Sequence, residues 1–581
     1  MFKKPVGMRK ALGLMLAVSA FTLAACGGGQ ETAAPADEPN DDAAAPAEEG
    51  GAPAFGWTNA MEDFQVGDRF FSEETIDVSL LFRELAETPW QDDWLMVQRL
   101  YEMTGVNLAS NTTAILHDDF ATQRQLLIAT GNAPELMPFI YGQDIPQFVA
   151  GGAMLPLNDY FQHMPHFRAL LDEWDLHEEF EHLRQPDGNF YMLPGMQEDT
   201  RVRFTVAMRK DILDELGLDV PDTWDEIRDV LEAVEAAFPG SFPYQEAWGW
   251  SSTANIASRT WGVRFGWGLG NGLILDHDAN THSHIALMPE LRDFTEYWAG
   301  LVADGLLLDE SLVDGFESWE RFLNGYSFMT GTNGADMHAS FTRDMHQLNE
   351  DGMPYGPFGR ENFEIVTLPI PNGPTGMVGE ARLNNGMILN SSIAEREDFV
   401  AILQFIDWLW YSEEGREFAL WGIEGETFER DADGRRVLKE GFSNHSFSFG
   451  GNAEMADEWT QMRRDLGFGE TVWLPTQGGS RDLLTSTLDQ SGVDLHMANT
   501  ERVPHAPNPA PPFDVEEAEI MSTLANQLAD MTNVAVREFV VGARELNDET
   551  WAAFVAQIEA AGVQRLLDTA DEAHARERLG Q

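Results

Sequence analysis

Between Ile76 and Tyr141 the chain alternates short apolar runs with helix-length segments, and this rhythm restricts the fold more than any other feature. Ile76 to Phe82 reads as a strand. Thr88-Pro89-Trp90-Gln91 then offers an N-cap threonine, a proline at the first helical position and a capping-box glutamine, which predicts a helix ending near Thr104. A strand near Val106 to Ser110, a helix over Asp118 to Ala129 and an apolar run at Leu136 to Tyr141 complete a βαβαβ pattern. Such units need right-handed crossovers, which make the sheet largely parallel, cover both its faces with helices and leave the carboxyl ends of the strands as the place for a ligand.

A second α/β section opens with a strand at Phe204 to Met208. Thr223-Trp224-Asp225-Glu226 is a further capping box, followed by Ile227, Val230, Leu231 and Val234 at helical spacing. More helices are predicted at Pro289 to Asp304, Ser318 to Leu323, Glu395 to Tyr411, Glu516 to Phe539 and Asp548 to Gly562, and strands at Glu364 to Leu368 and Gly386 to Asn390. No repeat of solenoid or propeller length is present.

The first residues read as an export signal, with Lys3, Lys4, Arg9 and Lys10 before an apolar run from Ala11 to Ala25 that is too short to span as a stable helix. Leu23-Ala24-Ala25-Cys26 resembles the lipobox of bacterial lipoproteins, in which the cysteine is diacylated and becomes the new N-terminus. Cys26 is the only cysteine, so disulfides and thiolate metal sites are excluded. Gly27 to about Phe55 is Gly, Ala, Pro, Asp and Glu with almost nothing to bury, the composition of a flexible tether. What remains, roughly 520 residues, exceeds what one core usually serves, so two lobes are expected. A formal charge of −60 argues against nucleic acid and anionic lipid headgroups as partners, since both would be repelled.

Several segments in order resemble the carbohydrate-type extracellular solute-binding proteins of ABC transporters, especially the large lipoproteins of Gram-positive bacteria. They are Gly152-Ala153-Met154-Leu155-Pro156-Leu157-Asn158-Asp159-Tyr160, Asp187-Gly188-Asn189-Phe190-Tyr191-Met192-Leu193-Pro194, and Met208-Arg209-Lys210-Asp211 running through Leu216-Gly217-Leu218 to Pro221. Downstream come Phe322-Leu323-Asn324-Gly325, Trp421-Gly422-Ile423-Glu424-Gly425-Glu426 and Phe539-Val540-Val541-Gly542. The resemblance implies an α/β chain of the type II periplasmic-binding-protein fold, two α/β lobes with a ligand cleft and hinge crossings. It divides the chain into a signal peptide (1–25), an acidic tether (26–72), a first lobe (73–196), a second lobe (197–382), a return to the first lobe (383–425) and completion of the second lobe with C-terminal helices (426–581). It also implies a non-enzymatic monomer on the extracellular face of the cytoplasmic membrane, on the periplasmic side if the host is Gram-negative. The lipid would be its only membrane contact, and its partners an oligosaccharide or similar polar solute and separate ABC permease subunits.

A sugar-like ligand has its own support in the residues. Trp248, Trp250, Trp261 and Trp267 fall in Gly-rich, loop-like stretches, and flat indole faces suit the apolar face of a pyranose. The competing reading is that these indoles pin loops to the lobe. Glu84, Gln143, Asn384 and Asn385 stand at strand ends or crossings where they would meet hydroxyls, Trp90 and Tyr141 are expected to face the cleft, Trp94 the core, and Trp421 joins the candidate ligand set.

No cofactor and no metal is expected. His177 and His182 are five apart, one too many for ligation on one helical face. Asp276-His277-Asp278-Ala279-Asn280, with His282 and His284, imitates the start of a calcium loop but has Leu287 where the loop needs glutamate, and a solvated polar loop is the reading preferred. Phosphate-cradling, dinucleotide and serine-nucleophile motifs are absent. Two readings remain beside the transport one: a surface glycoside hydrolase or lyase using two of the many carboxylates, and a peptide-binding or signalling lipoprotein.

Overall fold

The structure is a computed structural model that describes residues 57–579 apart from 87, 150, 186, 201–203, 313–316, 333–355, 360–363, 377–381, 444–459, 470–478, 487, 489, 503–507, 509, 510 and 512. Eight strands build its two principal sheets: β1 (Leu80–Glu84), β2 (Thr112–Leu116), β3 (Leu136–Ile140), β4 (Met192–Met196), β5 (Thr205–Arg209), β6 (Met329–Thr332), β7 (Ile365–Thr367) and β8 (Leu383–Leu389). The first sheet has the order β2-β1-β3-β8-β4; β1 pairs parallel with β2 and β3, while β8 runs against both β3 and β4. The second has the order β6-β5-β7 with both neighbours antiparallel.

Side chains alternate across the first sheet as the pleat requires. Leu80, Phe82, Leu136, Leu193, Met387 and Leu389 meet the helix Phe399–Tyr411 on one face, and Leu81, Met137, Phe139, Met192 and Ile388 lie with Phe120 and Phe148 on the other. Every residue of Phe399–Tyr411 is buried, as expected of a helix apolar all round. Its one carboxylate, Asp407, accepts the backbone N–H groups of His166 (2.9 Å) and Phe167 (2.8 Å) and pairs with His166 Nδ1 at 2.8 Å. Those are otherwise unsatisfied donors at the start of the helix Pro165–Glu173, so Asp407 caps that helix from across the core.

The second sheet packs in a separate core. Val206 and Met208 of β5 meet Ile227, Leu231 and Val234 of the helix Trp224–Ala237, and Trp250, Phe294, Trp298, Leu528, Val536 and Phe539 complete it. Both hydrogen bonds of the predicted capping box form, Glu226 N–H to Thr223 Oγ1 and Thr223 N–H to Glu226 Oε2, each 3.1 Å. The fold is thus two-lobed and α/β. The chain crosses between the cores three times, between Met196 and Val206, between Leu368 and Leu383, and between Leu483 and Phe513. No helix among the described residues is long and apolar enough to cross a membrane.

Three expectations need correction. The segment 26–72 is not tether throughout: Trp57 packs against Phe399, Met61 exchanges two 2.8 Å hydrogen bonds with the Gln404 side chain, and Phe70 is fully buried in the first core. Its aromatic residues supply the apolar surface that the preceding stretch lacks. The first-lobe return does not stop at Gly425, because Phe428, Met462, Phe468 and Leu483 belong to the first core. The capping box at Thr88 is not made; the helix starts at Leu95, because Trp90 and Trp94 turn inward onto Phe82 before it begins.

Asp407→Ala would strand three donors inside the first lobe. It is expected to cost about 3 kcal/mol in urea unfolding; an unchanged midpoint would show that the carboxylate does not hold the helix.

Candidate functional site

Because β1 to β4 point one way, their carboxyl ends, Glu84, Leu116, Ile140 and Met196, lie along one edge of the first sheet, beside the first residues of β8. Such an edge is where open α/β sheets hold ligands. Glu84 Oε2 accepts the Trp90 backbone N–H at 3.0 Å, while the half-buried Trp90 ring lies 5.0 Å from Phe82 and 5.3 Å from Trp94, with Nε1 donating to Asp92. Tyr141 follows β3 and is 44 % exposed. Gln197, one residue past β4, is buried, and neither atom of its amide has a partner among the described residues.

On the opposite face of the same edge, Arg83 stacks over the Phe139 ring at 4.0 Å. Arg124 reaches the Phe139 carbonyl at 2.5 Å and Asp144 at 3.5 Å. Phe139 has φ +60 inside a strand, a strained conformation for a non-glycine residue, and such strain clusters at functional sites. Burial lowers both guanidinium values, and Arg124 pushes Arg83 further down. Burial raises Asp144 against the pull of Arg124, and burial together with Arg83 lowers His117.

The structure therefore brings Glu84, Trp90 and Tyr141 to one edge, with the backbones of Gln143 and Asn384 beside them; Asn385 is buried there. The side chains of Gln143, Asn384 and Trp248 lie outside the described set, as does Cys26. Trp267 is 51 % exposed and packs edge-on against Phe204, near the end of the first crossing. Trp94 is buried in the core as expected.

Three tryptophans are corrected. Trp250 is fully buried and stacks on Phe294 at 5.7 Å, Trp261 packs between Phe294 and Tyr297, and Trp421 lies in the first core with Nε1 donating to Ser486. The glycines around them permit tight packing rather than looseness. Gly249 (φ +57) and Trp250 (φ +69) turn left-handed to drive the indole inward. A Cβ on Gly266 would stand 2.2 Å from the Ser251 carbonyl oxygen.

The histidine-rich loop is a hairpin turn. Asp276 Oδ1 accepts the N–H groups of Asp278 and Ala279 at 2.9 Å, while His282 pairs with Asp571 at 2.9 Å and His574 with Asn280 at 3.0 Å, which ties the C-terminal helix to the hairpin. Among the described residues no group of three or more His, Cys, Asp or Glu is placed to hold a metal ion.

Sequence reasoning missed Glu246. It lies fully buried in the second lobe beside β6, its Oε1 receiving the Tyr244 hydroxyl and its Oε2 without a partner among the described residues. A Cβ on Gly331 of β6 would come within 3.2 Å of both carboxyl oxygens, so glycine there makes the room. Burial pushes this carboxyl up to about 7, against the Tyr244 hydrogen bond. Nothing in local sequence marks it; only the pairing of Tyr244 with Met329 brings the segment alongside the sheet. Arg83 was open to suspicion, as an arginine next to a strand's last residue in a chain of 97 acidic and 37 basic residues.

Two α/β lobes joined by three crossings, with an open strand edge beside them, define a two-lobed binding protein. The profile described as bacterial extracellular solute-binding protein matches residues 96–413, over half of the chain, and the chain belongs to that family. It is 25 % identical over 308 residues to the fructooligosaccharide ABC transporter substrate-binding protein FusA of Streptococcus pneumoniae, covering 50 % of this chain and 52 % of FusA. It thus spans about half the length of that curated relative. Among solved structures it is similar to the alginate-binding protein AlgQ2 without calcium ion (TM-score 0.63, 17 % identity, 87 % of this chain and 99 % of that one). It is likewise similar to S. pneumoniae FusA in complex with kestose (TM-score 0.58, 17 % identity, 87 % and 100 %). These structural likenesses show the fold.

Two outcomes follow from the buried groups. Trp250→Ala is expected to cost about 4 kcal/mol in urea unfolding, with ligand affinity per folded molecule unchanged; weakened binding at full stability would restore the indole to the cleft. Glu246 has a folded value above the usual 4.5, so the native state holds the extra proton. Its contribution is present below pH ~4.5 and is lost as pH rises through about 7, on the order of 3 kcal/mol. Relative to Glu246→Gln, the unaltered protein should lose that much between pH 4.5 and 8 in urea melts, and parallel curves would remove the assignment.

Proposed function

We propose that the protein is the lipid-anchored extracellular substrate-binding subunit of an ABC importer, which captures an oligosaccharide at the carboxyl edge of the first sheet and delivers it to a separate permease. The observation that carries the reading is family membership across residues 96–413, a stretch that contains Tyr141, Gln143 and Asn384 of that edge. FusA, named for fructooligosaccharide, and AlgQ2, named for alginate, support a saccharide as the class of ligand. Cys26 after Leu23-Ala24-Ala25 supplies the anchor, the acidic stretch that follows supplies reach, and the protein acts as a monomer. Glu84, Trp90, Tyr141, Gln143 and Asn384 form the first wall and Trp267 stands on the second. Ligand contacts both lobes, so closing is favoured by the ligand's greater affinity for the closed state.

The test is a thermal-shift panel of fructooligosaccharides, human milk oligosaccharides and alginate oligomers on the purified mature chain, followed by chromatography of the recovered sugar. A ligand at a hundredfold its Kd should add about 2.7 kcal/mol of stability and be recovered intact. Shortened or eliminated products would make the protein an enzyme, and a panel without any shift would remove the saccharide.

A further inference from the structure

The cationic corner of the first-sheet edge is out of keeping with the rest of the molecule. In a chain of formal charge −60, solvent-facing arginines readily find carboxylates: Arg69 pairs with Glu414, Arg99 with Glu102 and Glu426, Arg396 with Glu135 and Asp398. Arg83 has no hydrogen-bond acceptor and no carboxylate partner among the described residues. It is half-buried against the ring of Phe139, whose carbonyl accepts from Arg124. Among the described residues the carboxylate in contact with the pair is Asp144, 3.5 Å from Arg124; Asp118 is exposed at the neighbouring end of β2, beside His117. Two guanidinium groups thus meet one carboxylate among the described residues, a net positive balance where burial already penalises charge and one that an anion would relieve.

The geometry points to an anionic group on the ligand: we infer that this protein takes an acidic oligosaccharide, and that Arg83, held on the Phe139 ring with Arg124 and Tyr141 nearby, receives its carboxylate or sulfate. This rests on the saccharide-binding reading and narrows it. Arginine's planar fork matches a carboxylate or sulfate bidentately, which a lysine would not do. The site is built rather than incidental. Arg124 is nearly fully buried and fixed by the Phe139 carbonyl, which the left-handed backbone at Phe139 turns toward it. Tyr141, exposed and directly after β3, offers a ring next to the cation for the sugar that carries the charge. The corner also faces the other lobe, since the helix Val515–Val540 approaches the segment Pro146–Val149 just beyond Asp144.

Tetramers of galacturonate, mannuronate and glucuronate, each against its carboxyl-reduced neutral counterpart, and a sulfated against an unsulfated tetrasaccharide, are titrated calorimetrically into the mature chain, together with the neutral fructooligosaccharides. At least one acidic member is expected to bind tenfold or more tighter than its neutral partner, with the advantage shrinking as salt rises. The carboxylate and sulfate arms tell which anion is meant. Arg83→Gln should bring the acidic ligand down to the neutral one's affinity, and Arg83→Lys should recover part of the difference. The thermal midpoint of unliganded Arg83→Gln should fall little, because among the described residues the cation it removes loses its stacking on Phe139 and no carboxylate. Neutral ligands binding as tightly as acidic ones, or a preference that survives Arg83→Gln, overturns the inference while leaving the saccharide-binding reading standing. Binding of no saccharide of either kind overturns both.

Discussion

Because β1, β2, β3 and β4 share a direction and β8 alone opposes them, the first lobe has one edge at which four chains leave the sheet together. The loops that leave that edge carry Trp90 after β1, Tyr141 after β3 and Gln197 after β4; Trp90 and Gln197 fold back against the interior, and Tyr141 stays exposed. The sheet tolerates this arrangement because both its faces are covered, one by the fully buried helix Phe399–Tyr411 and the other by Phe120 and Phe148. The same pleat divides the edge chemically. Glu84 lies on the face of Phe82 with the tryptophans, and Arg83 on the face of Leu81 with Phe139, so adjacent residues present an acceptor on one side and a cation on the other.

The strand-and-helix rhythm was legible because it is a local property. The capping box at Thr223 forms with the helix face foreseen, and β1, β3, β5 and β8 fall within a few residues of their expected places. The tryptophans failed for a reason equally physical. A glycine beside an aromatic residue reads as a loose loop when only composition is visible, yet Gly266 is there because the Ser251 carbonyl leaves no space for a Cβ, and Gly249 because the chain must turn left-handed to bury Trp250. Close approach between segments distant in sequence leaves no periodicity to read. Glu246 illustrates the same limit: its burial follows from lying next to β6, more than eighty residues on. The lobe boundaries failed for want of contrast, since Phe428, Met462 and Phe468 are apolar residues that either core would accept.

The acidic coat makes the few buried charges informative. Arg209 is fully buried and answered by Asp211, and His166 by Asp407, pairs in which each partner relieves the other's desolvation. Arg416 is buried as well, with its Nε on the Trp410 carbonyl and its guanidinium near Trp174 and Tyr411, so aromatic faces and a carbonyl take the place of a carboxylate. Arg83 shares the aromatic neighbour but has no carbonyl acceptor among the described residues. Arg209, His166 and Arg416 are therefore answered inside the protein, whereas Arg83 at the strand edge has no carboxylate partner among the described residues.

The three crossings are tied to one another before any ligand arrives. Gln197 N–H donates to the Arg382 carbonyl, joining the first crossing to the second, and Asp199 accepts two 2.6 Å bonds from Arg481, joining it to the stretch that leads into the third. His496 Nε2 stands 3.3 Å from the same carboxylate. Crossings linked at Gln197 and Asp199 are coupled, so a displacement of one is shared with the others. Burial raises Asp199, but hydrogen bonds and charge from Arg481 and His496 outweigh it and hold the carboxyl below its usual range. In the proposed transport reading, the differential affinity of the ligand is then spent on closing rather than on selecting among many misaligned arrangements of two loosely connected bodies.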